Sequence, residues 1–428
     1  MSVREPALDP YVPHRGSSAY TVDHYDLDLE YKVASNRLDG AATLELRLLE
    51  DTDVVELDLV RLRVEHVTVE RQRAPYKHSG GRVRVRLGRV RRAGTRLTLA
   101  VRYSGRPAPA MGTWGDVGWE ELTDGSLCAN QPDGAPTWFP CNDHPSHRAT
   151  FRITVTTEAD YAVVTNGELE HVARKGSTRV WRFGRTDPMC TYLAAVHVGR
   201  YEPLVLASSR VPQVAHAPRA QHHAVAADLV RHDQLMRTFE DLFGPYPFTS
   251  YRLVVTADPL EIPLEAQGMS VFGAQHLDGT GSWDRLVAHE LAHQWFGNSV
   301  SVARWSDIWL NEGFACYAEW LWSEASGGPT ADRLAREAHA RLAALPQDLV
   351  VGDPGPENMF DDRLYKRGAL TLHALRTVLG DDAFFDAVRE WTRSHRHASA
   401  STADLRALVG HDALLDAWLL DPALPALP

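Results

Sequence analysis

The stretch VAHELAHQWFGNSVS (287–301) carries His289, Glu290 and His293 within an apolar run. The two histidines stand four positions apart, so on a helix they lie on one face, one turn apart. Two imidazole nitrogens can then point at one ion. Glu290 sits about 100° round the helix, where it can approach the open side of a metal without ligating it. This is the mechanical content of an H-E-x-x-H pattern. The competing reading is a buried helix whose histidines are merely satisfied core residues. The flanks Leu286, Val287, Leu291, Trp295 and Phe296 bury one side of the helix. Polar groups buried there need partners.

A third ligand is at hand. WSDIWLNEGFACYAEWLW (305–322) reads as a second apolar helix and carries Glu312, with eighteen residues between it and His293. That distance allows a loop and an antiparallel return. Two histidines and one carboxylate give zinc three protein ligands and leave a position for water, the pattern of a catalytic rather than a structural site. Cys316 could face the site as a ligand or be an ordinary buried thiol. Glu319, two turns after Glu312, or Asp307 could accept the second N–H of a ligating histidine; either could equally be a helix-end or surface charge.

The 428 residues predict two domains or more, with 44% hydrophobic and 24% charged residues, as in a globular protein. A net charge of −11 and the absence of a basic stripe argue against nucleic acid and anionic membrane as partners. The N-terminus MSVREPALDP has no apolar signal core, and no long apolar run suggests a membrane span. The four cysteines form no C-x-x-C pair, which suits a reduced, cytoplasmic protein; a Cys128–Cys141 disulfide is left open.

Up to about residue 204 the pattern alternates with period two. Examples are YDLDLEYKV (25–33), AATLELRLLE (41–50), RVRVRLGRV (82–90), RLTLAVRYS (96–104) and ATFRITVTT (149–157). Turn residues punctuate these runs, predicting an antiparallel β-sandwich or saddle-like sheet over 1–204. Beyond it, helical spacing recurs at 224–244, 283–297, 308–325, 330–344, 366–378, 382–395 and 402–419, with one strand at 251–258. The fold class is therefore α+β, an all-β domain (1–204) followed by a mostly helical domain (205–428).

VAHELAHQWFGNSVS followed by WSDIWLNEGFACYAEW resembles the zinc aminopeptidases of the aminopeptidase N family, peptidase family M1, whose gluzincin site is H-E-x-x-H, eighteen residues, E. The match extends through Gln294, Trp295, Gly297, Asn298, Trp309, Asn311 and Gly313. QPDGAPTWFPCNDHPSHRATFRITVTT (131–157), TYLAAVHVGRYE (191–202), GPYPFTSYRLVV (244–255) and DRLYKRGALTLHALR (362–376) resemble further family segments, so nearly the whole chain is covered. The resemblance implies a thermolysin-like catalytic domain and one Zn2+ per chain held by His289, His293 and Glu312. Glu290 matches the general base and Tyr365 the oxyanion-stabilising hydroxyl. Gln131 and Glu265 match residues that hold the free α-amine of a peptide substrate. The family's G-x-M-E-N loop is altered here to IPLEA (262–266), keeping Glu265 but replacing Gly, Met and Asn by Ile262, Leu264 and Ala266. His144 stands where the family usually has Glu.

The resemblance implies hydrolysis of N-terminal residues from peptides with a free N-terminus. Two other readings stay open: a non-catalytic scaffold of the same fold, and an endopeptidase or epoxide-opening hydrolase with altered amine recognition. Family members usually continue with a long helical domain over the cleft, whereas this chain stops at the end of the catalytic domain. A more open cleft is therefore expected, unless a dimer partner or another protein covers it. The oligomeric state is not legible.

Overall fold

A computed structural model describes residues 8–207 and 210–428. The first half is β-rich, as the period-two pattern requires. Tyr20–Lys32 runs along the middle of a nine-stranded sheet, its side chains alternating between a buried and a more open face. It pairs antiparallel with Arg37–Leu48, which pairs in turn with Arg96–Gly105. On its other side it pairs with Arg148–Glu158 in parallel, Leu27 opposite Ile153. The sheet is thus not antiparallel throughout. Alternation along a strand reports which face is buried but not which strand lies beside it, so a partner more than a hundred residues away leaves no local trace.

The second half begins with strand. Glu202–Ala207 pairs with Gln213–Ala217, then come Tyr251–Val255, Met269–Phe272 and the edge strand Leu264–Ala266. Sequence spacing shows only the Tyr251–Val255 member, because the others are short and lack room to display a period. Residue 204 falls inside Glu202–Ala207, whose partner lies in the second half. We propose the domain division just before Glu202, rather than at 204/205.

Three of the helices in the second half carry the residues singled out above: Asp284–Ala292 (the histidine helix), Trp309–Ala325 (the glutamate helix) and Asp362–Leu379 (the tyrosine helix). The histidine helix is shorter than the expected 283–297. His293 N still donates to His289 O (3.2 Å), but the chain then turns out at Gly297, whose φ of +120° is disfavoured for other residues. The glutamate helix is buried on every side from Trp309 to Trp322, as a helix apolar all round must be. The predicted helix at 224–244 is two, His222–Asp228 and His232–Phe243. That at 402–419 also divides, at Gly410 and His411, both with positive φ. The tyrosine helix starts earlier than 366 because the Asp361 carboxylate accepts from Arg363 N (2.9 Å) and caps it.

Glutamate and tyrosine helices meet glycine to glycine. A Cβ on Gly368 would lie 2.9 Å from Gly313 Cα, and one on Gly313 would lie 3.0 Å from Gly368 Cα. This contact lets the two backbones approach closely and brings Tyr365 over the ligand cluster. Gly368→Ala is expected to push the helices apart and destabilise the fold by about 1–2 kcal/mol, despite the gain in helix propensity. Urea unfolding of the variant measures it; a more stable variant would contradict the packing account.

All four cysteines are free and buried, so Cys128 and Cys141 form no disulfide. Cys128 instead donates to Val196 O, while the backbone of Cys141 exchanges hydrogen bonds with Asp58. Among the described residues no helix is long and apolar enough to cross a membrane.

Candidate metal centre

The helical face inferred from sequence points His289 and His293 toward the glutamate helix. Glu312 Oε2 lies 3.5 Å from Nε2 of each histidine. The three donor atoms lie within 4.8 Å of one another, and all three residues are buried. Ligands about 2.0–2.2 Å from a tetrahedral ion stand roughly 3.4 Å apart, so the separations suit a metal better than a direct hydrogen bond. The residues present therefore fit zinc.

The remaining ring nitrogens are committed elsewhere. His289 Nδ1 lies 2.8 Å from Glu319 Oε1, and His293 Nδ1 lies 3.0 Å from Phe296 O. Each contact suits an Nδ1–H donor, leaving both Nε2 atoms free for a cation. Glu319 is itself held by Arg285 Nη1 at 2.8 Å, with Lys366 Nζ at 3.9 Å. Arg285 and Lys366 were missed by the sequence reading. Arg285 stands four residues before His289, one turn along the same face, and could have been found. Lys366 comes from a different helix and left no such signal.

Asp307 does not reach a histidine. Its Oδ1 accepts from Thr402 N (3.1 Å) and Thr402 Oγ1 (2.6 Å), anchoring the start of a later helix. Cys316 is not a ligand either: Lys366 Nζ approaches its sulfur at 3.3 Å, and burial pushes the thiol up to about 12. His144 faces its own turn, where Ser146 N donates to its Nδ1 (3.2 Å).

Glu265 and Glu290 converge with His293 into a second group of donor atoms within 4.8 Å of one another. One oxygen of each carboxylate, Glu265 Oε1 and Glu290 Oε2, is buried with no hydrogen-bond partner. Unpartnered buried oxygens are costly and mark a place where a cation, a donor or water belongs. Burial lifts the Glu290 carboxyl to about 7, against the pull of His289 and His293; Glu265 and Glu312 push the same way. A base poised near neutrality is suited to proton transfer. Burial likewise raises Glu265.

Two family residues explain how Glu265 is held despite its altered loop. Gln294 Nε2 donates to Met269 O (3.1 Å), and its Oε1 accepts from Gly268 N (2.9 Å). Asn298 Nδ2 donates to Ala266 O (2.9 Å). Side chains following the histidine helix thus pin Ala266, the last residue of the edge strand carrying Glu265, and the turn that follows it. The substitutions at Ile262, Leu264 and Ala266 leave these bonds intact because they use main-chain atoms.

Tyr365 lies in the first turn of its helix, its ring 6.2 Å from that of His289 and inclined by 16°. Burial raises its pKa well above the ordinary value, with Glu312, Glu265 and Glu290 adding to the shift, so its hydroxyl stays a proton donor at neutral pH. Gln131 belongs to a loop of the first half, where its buried Nε2 has no hydrogen-bond partner. Its neighbour Asn130 ties that loop to Ala194 O.

The sequence model of the Peptidase M1 N-terminal domain matches residues 21–193, and that of the Peptidase family M1 domain matches 228–416. A probable aminopeptidase 2 of Sulfurisphaera tokodaii is 28% identical over 90% of the chain, which covers 51% of that protein. A leucyl aminopeptidase of Saccharolobus solfataricus is 24% identical over 94% of the chain, which covers 54% of it. The chain thus spans about half the length of the curated relatives it matches. An M1 zinc metallopeptidase mutant of Deinococcus radiodurans, solved with a Tyr-Ser-Ala substrate, superposes with a TM-score of 0.90 at 31% identity over 98% of both chains. With both family domains matched in order along the chain, this protein belongs to peptidase family M1.

Proposed function

We propose that the chain is a zinc-dependent aminopeptidase that releases N-terminal residues from peptides. The supporting observation is one buried cluster in which the His289–His293–Glu312 triad adjoins two carboxylates with unpartnered oxygens, Glu290 and Glu265. One zinc per chain, held by the triad, would supply Lewis acidity and make water a usable nucleophile near neutral pH. Glu290 accepts the proton of the attacking water and passes it to the leaving amine. Tyr365 donates a hydrogen bond to the oxygen that gains charge. Glu265 binds the positively charged α-amine, and Gln131 supports it from the opposite domain. The anchor lies beside the base, so a bound peptide presents its first peptide bond to the chemistry. The four free thiols suit a reducing compartment, and we propose a cytoplasmic location.

The deciding assay compares aminoacyl-fluorophores with their N-acetylated forms. Only free-amine substrates are expected to turn over. Glu265→Gln is expected to lower kcat/KM for them by about 10- to 100-fold, the scale of a lost charge-assisted hydrogen bond. Equal cleavage of capped substrates would replace this reading with an endopeptidase. Hydrolysis of neither by zinc-loaded protein would favour a scaffold.

A further inference from the structure

The segment leading into the tyrosine helix is gripped from the first half of the chain at two points. The Tyr11 hydroxyl donates to Asp353 Oδ1 (2.5 Å) and accepts from Gly355 N (2.7 Å). Trp114 Nε1 donates to Pro356 O (2.6 Å), and its ring meets Phe360 edge to face at 6.2 Å. Phe360 precedes Tyr365 by five residues, with the helix cap Asp361 and the first three helical residues between them.

Both gripping residues are themselves anchored. Asp9 is 1% exposed. Its carboxylate accepts from Tyr11 N (2.9 Å) and from Trp305 N (2.8 Å), at the lead-in to the glutamate helix. Arg15, four positions after Tyr11, pairs with Asp133 at 2.9 Å, two residues from Gln131. Trp114 sits on a hairpin of Ala110–Gly112 and Gly115–Leu122. The hairpin's Trp119 N donates to Thr137 Oγ1 (2.9 Å), so its base rests on the loop that also holds Gln131.

Tyr365 stands in the first helical turn, where backbone N–H groups lack intrahelical partners and the helix end is least constrained. A hydroxyl aimed at developing charge tolerates little displacement. We propose that Tyr11 and Trp114 are positioning residues that clamp the start of the tyrosine helix and thereby aim the Tyr365 hydroxyl. The clamp rests on the aminopeptidase reading and acts through Tyr365. Trp114 is only partly buried where it packs against the core, so its removal leaves a gap open to solvent rather than a closed cavity.

The test is a double-mutant cycle on one aminoacyl-fluorophore, with zinc content measured throughout. Tyr11→Phe, Trp114→Ala and Trp114→Phe are assayed in the wild-type and the Tyr365→Phe backgrounds. Tyr11→Phe and Trp114→Ala are expected to lower kcat about tenfold or more while KM stays within about twofold. Trp114→Phe, which keeps a ring against Phe360, is expected to recover part of the loss. In the Tyr365→Phe background the same changes are expected to cost nothing further. Losses that multiply in that background, or that fall on KM, overturn the clamp and mark these contacts as structural only. An unimpaired Tyr365→Phe enzyme overturns it as well. Absence of turnover by the wild-type protein overturns the functional reading and the clamp together.

Discussion

Glu290→Gln is expected to lower kcat by about 10²- to 10⁴-fold while the bound zinc is retained. The substitution keeps the shape of a side chain that is 4% exposed and removes only its capacity to accept a proton. Its Oε2 has no partner whose loss would unfold the helix. Burial is what most raises the Glu290 carboxyl, against the pull of His289 and His293 and with Glu265 and Glu312 adding to it, so a neutral amide removes a charge that burial disfavours. Stability is therefore expected to hold or rise while turnover collapses. Steady-state kinetics beside metal analysis decides it: activity within about threefold of wild type would remove Glu290 from the chemistry.

Glu312→Gln is expected to act differently, by loss of the metal. An amide is a weaker ligand than a carboxylate, and both Nε2–Oε2 separations of 3.5 Å run through this one side chain. Zinc should be lost on dialysis, with activity falling at least about 10³-fold. The change also has a pH signature. In metal-free protein, burial pulls His289 down, but Glu312 and Glu319 outweigh it and raise it to about 9. Burial likewise opposes His293, which Glu312 and Glu265 raise to about 10. Both imidazoles therefore carry protons at pH 7, and zinc must expel them. Uptake is expected to release about two protons, and apparent affinity to rise from pH 6 to 9. Calorimetry in buffers of differing ionisation enthalpy measures this release. In Glu312→Gln the release should shrink, since the carboxylate that holds both protons is gone; an unchanged release would disprove that link.

The legibility of this site differed from residue to residue. His289, Glu290 and His293 could be read because i and i+4 share a helical face whatever the helix packs against. Glu312 followed from an apolar helix at a distance that allows a return. Tyr365, Gln131 and Glu265 came only through family resemblance, since nothing local distinguishes a half-buried tyrosine, a loop glutamine or a loop carboxylate. Asp307 and Glu319 looked equivalent in sequence, yet Asp307 anchors Thr402 and Glu319 meets His289. The histidine helix was read too long and the stretch 402–419 as one helix, because positive φ at Gly297 and at Gly410 and His411 breaks the helical run.

The sequence alone determined the two textures of the chain, its metal-ligating residue types and their order, because periodicity and helical spacing are properties of neighbouring residues. Tertiary structure decided the rest. It set the parallel partner of the central strand and the glycine contact that lowers Tyr365 onto the cluster. It gave Glu319 its two cations, and the start of the tyrosine helix its grip from Tyr11 and Trp114. Each of these joins segments far apart in the chain. Such contacts arise from the simultaneous burial of several elements, and no local pattern encodes which distant surface will be there to receive a side chain.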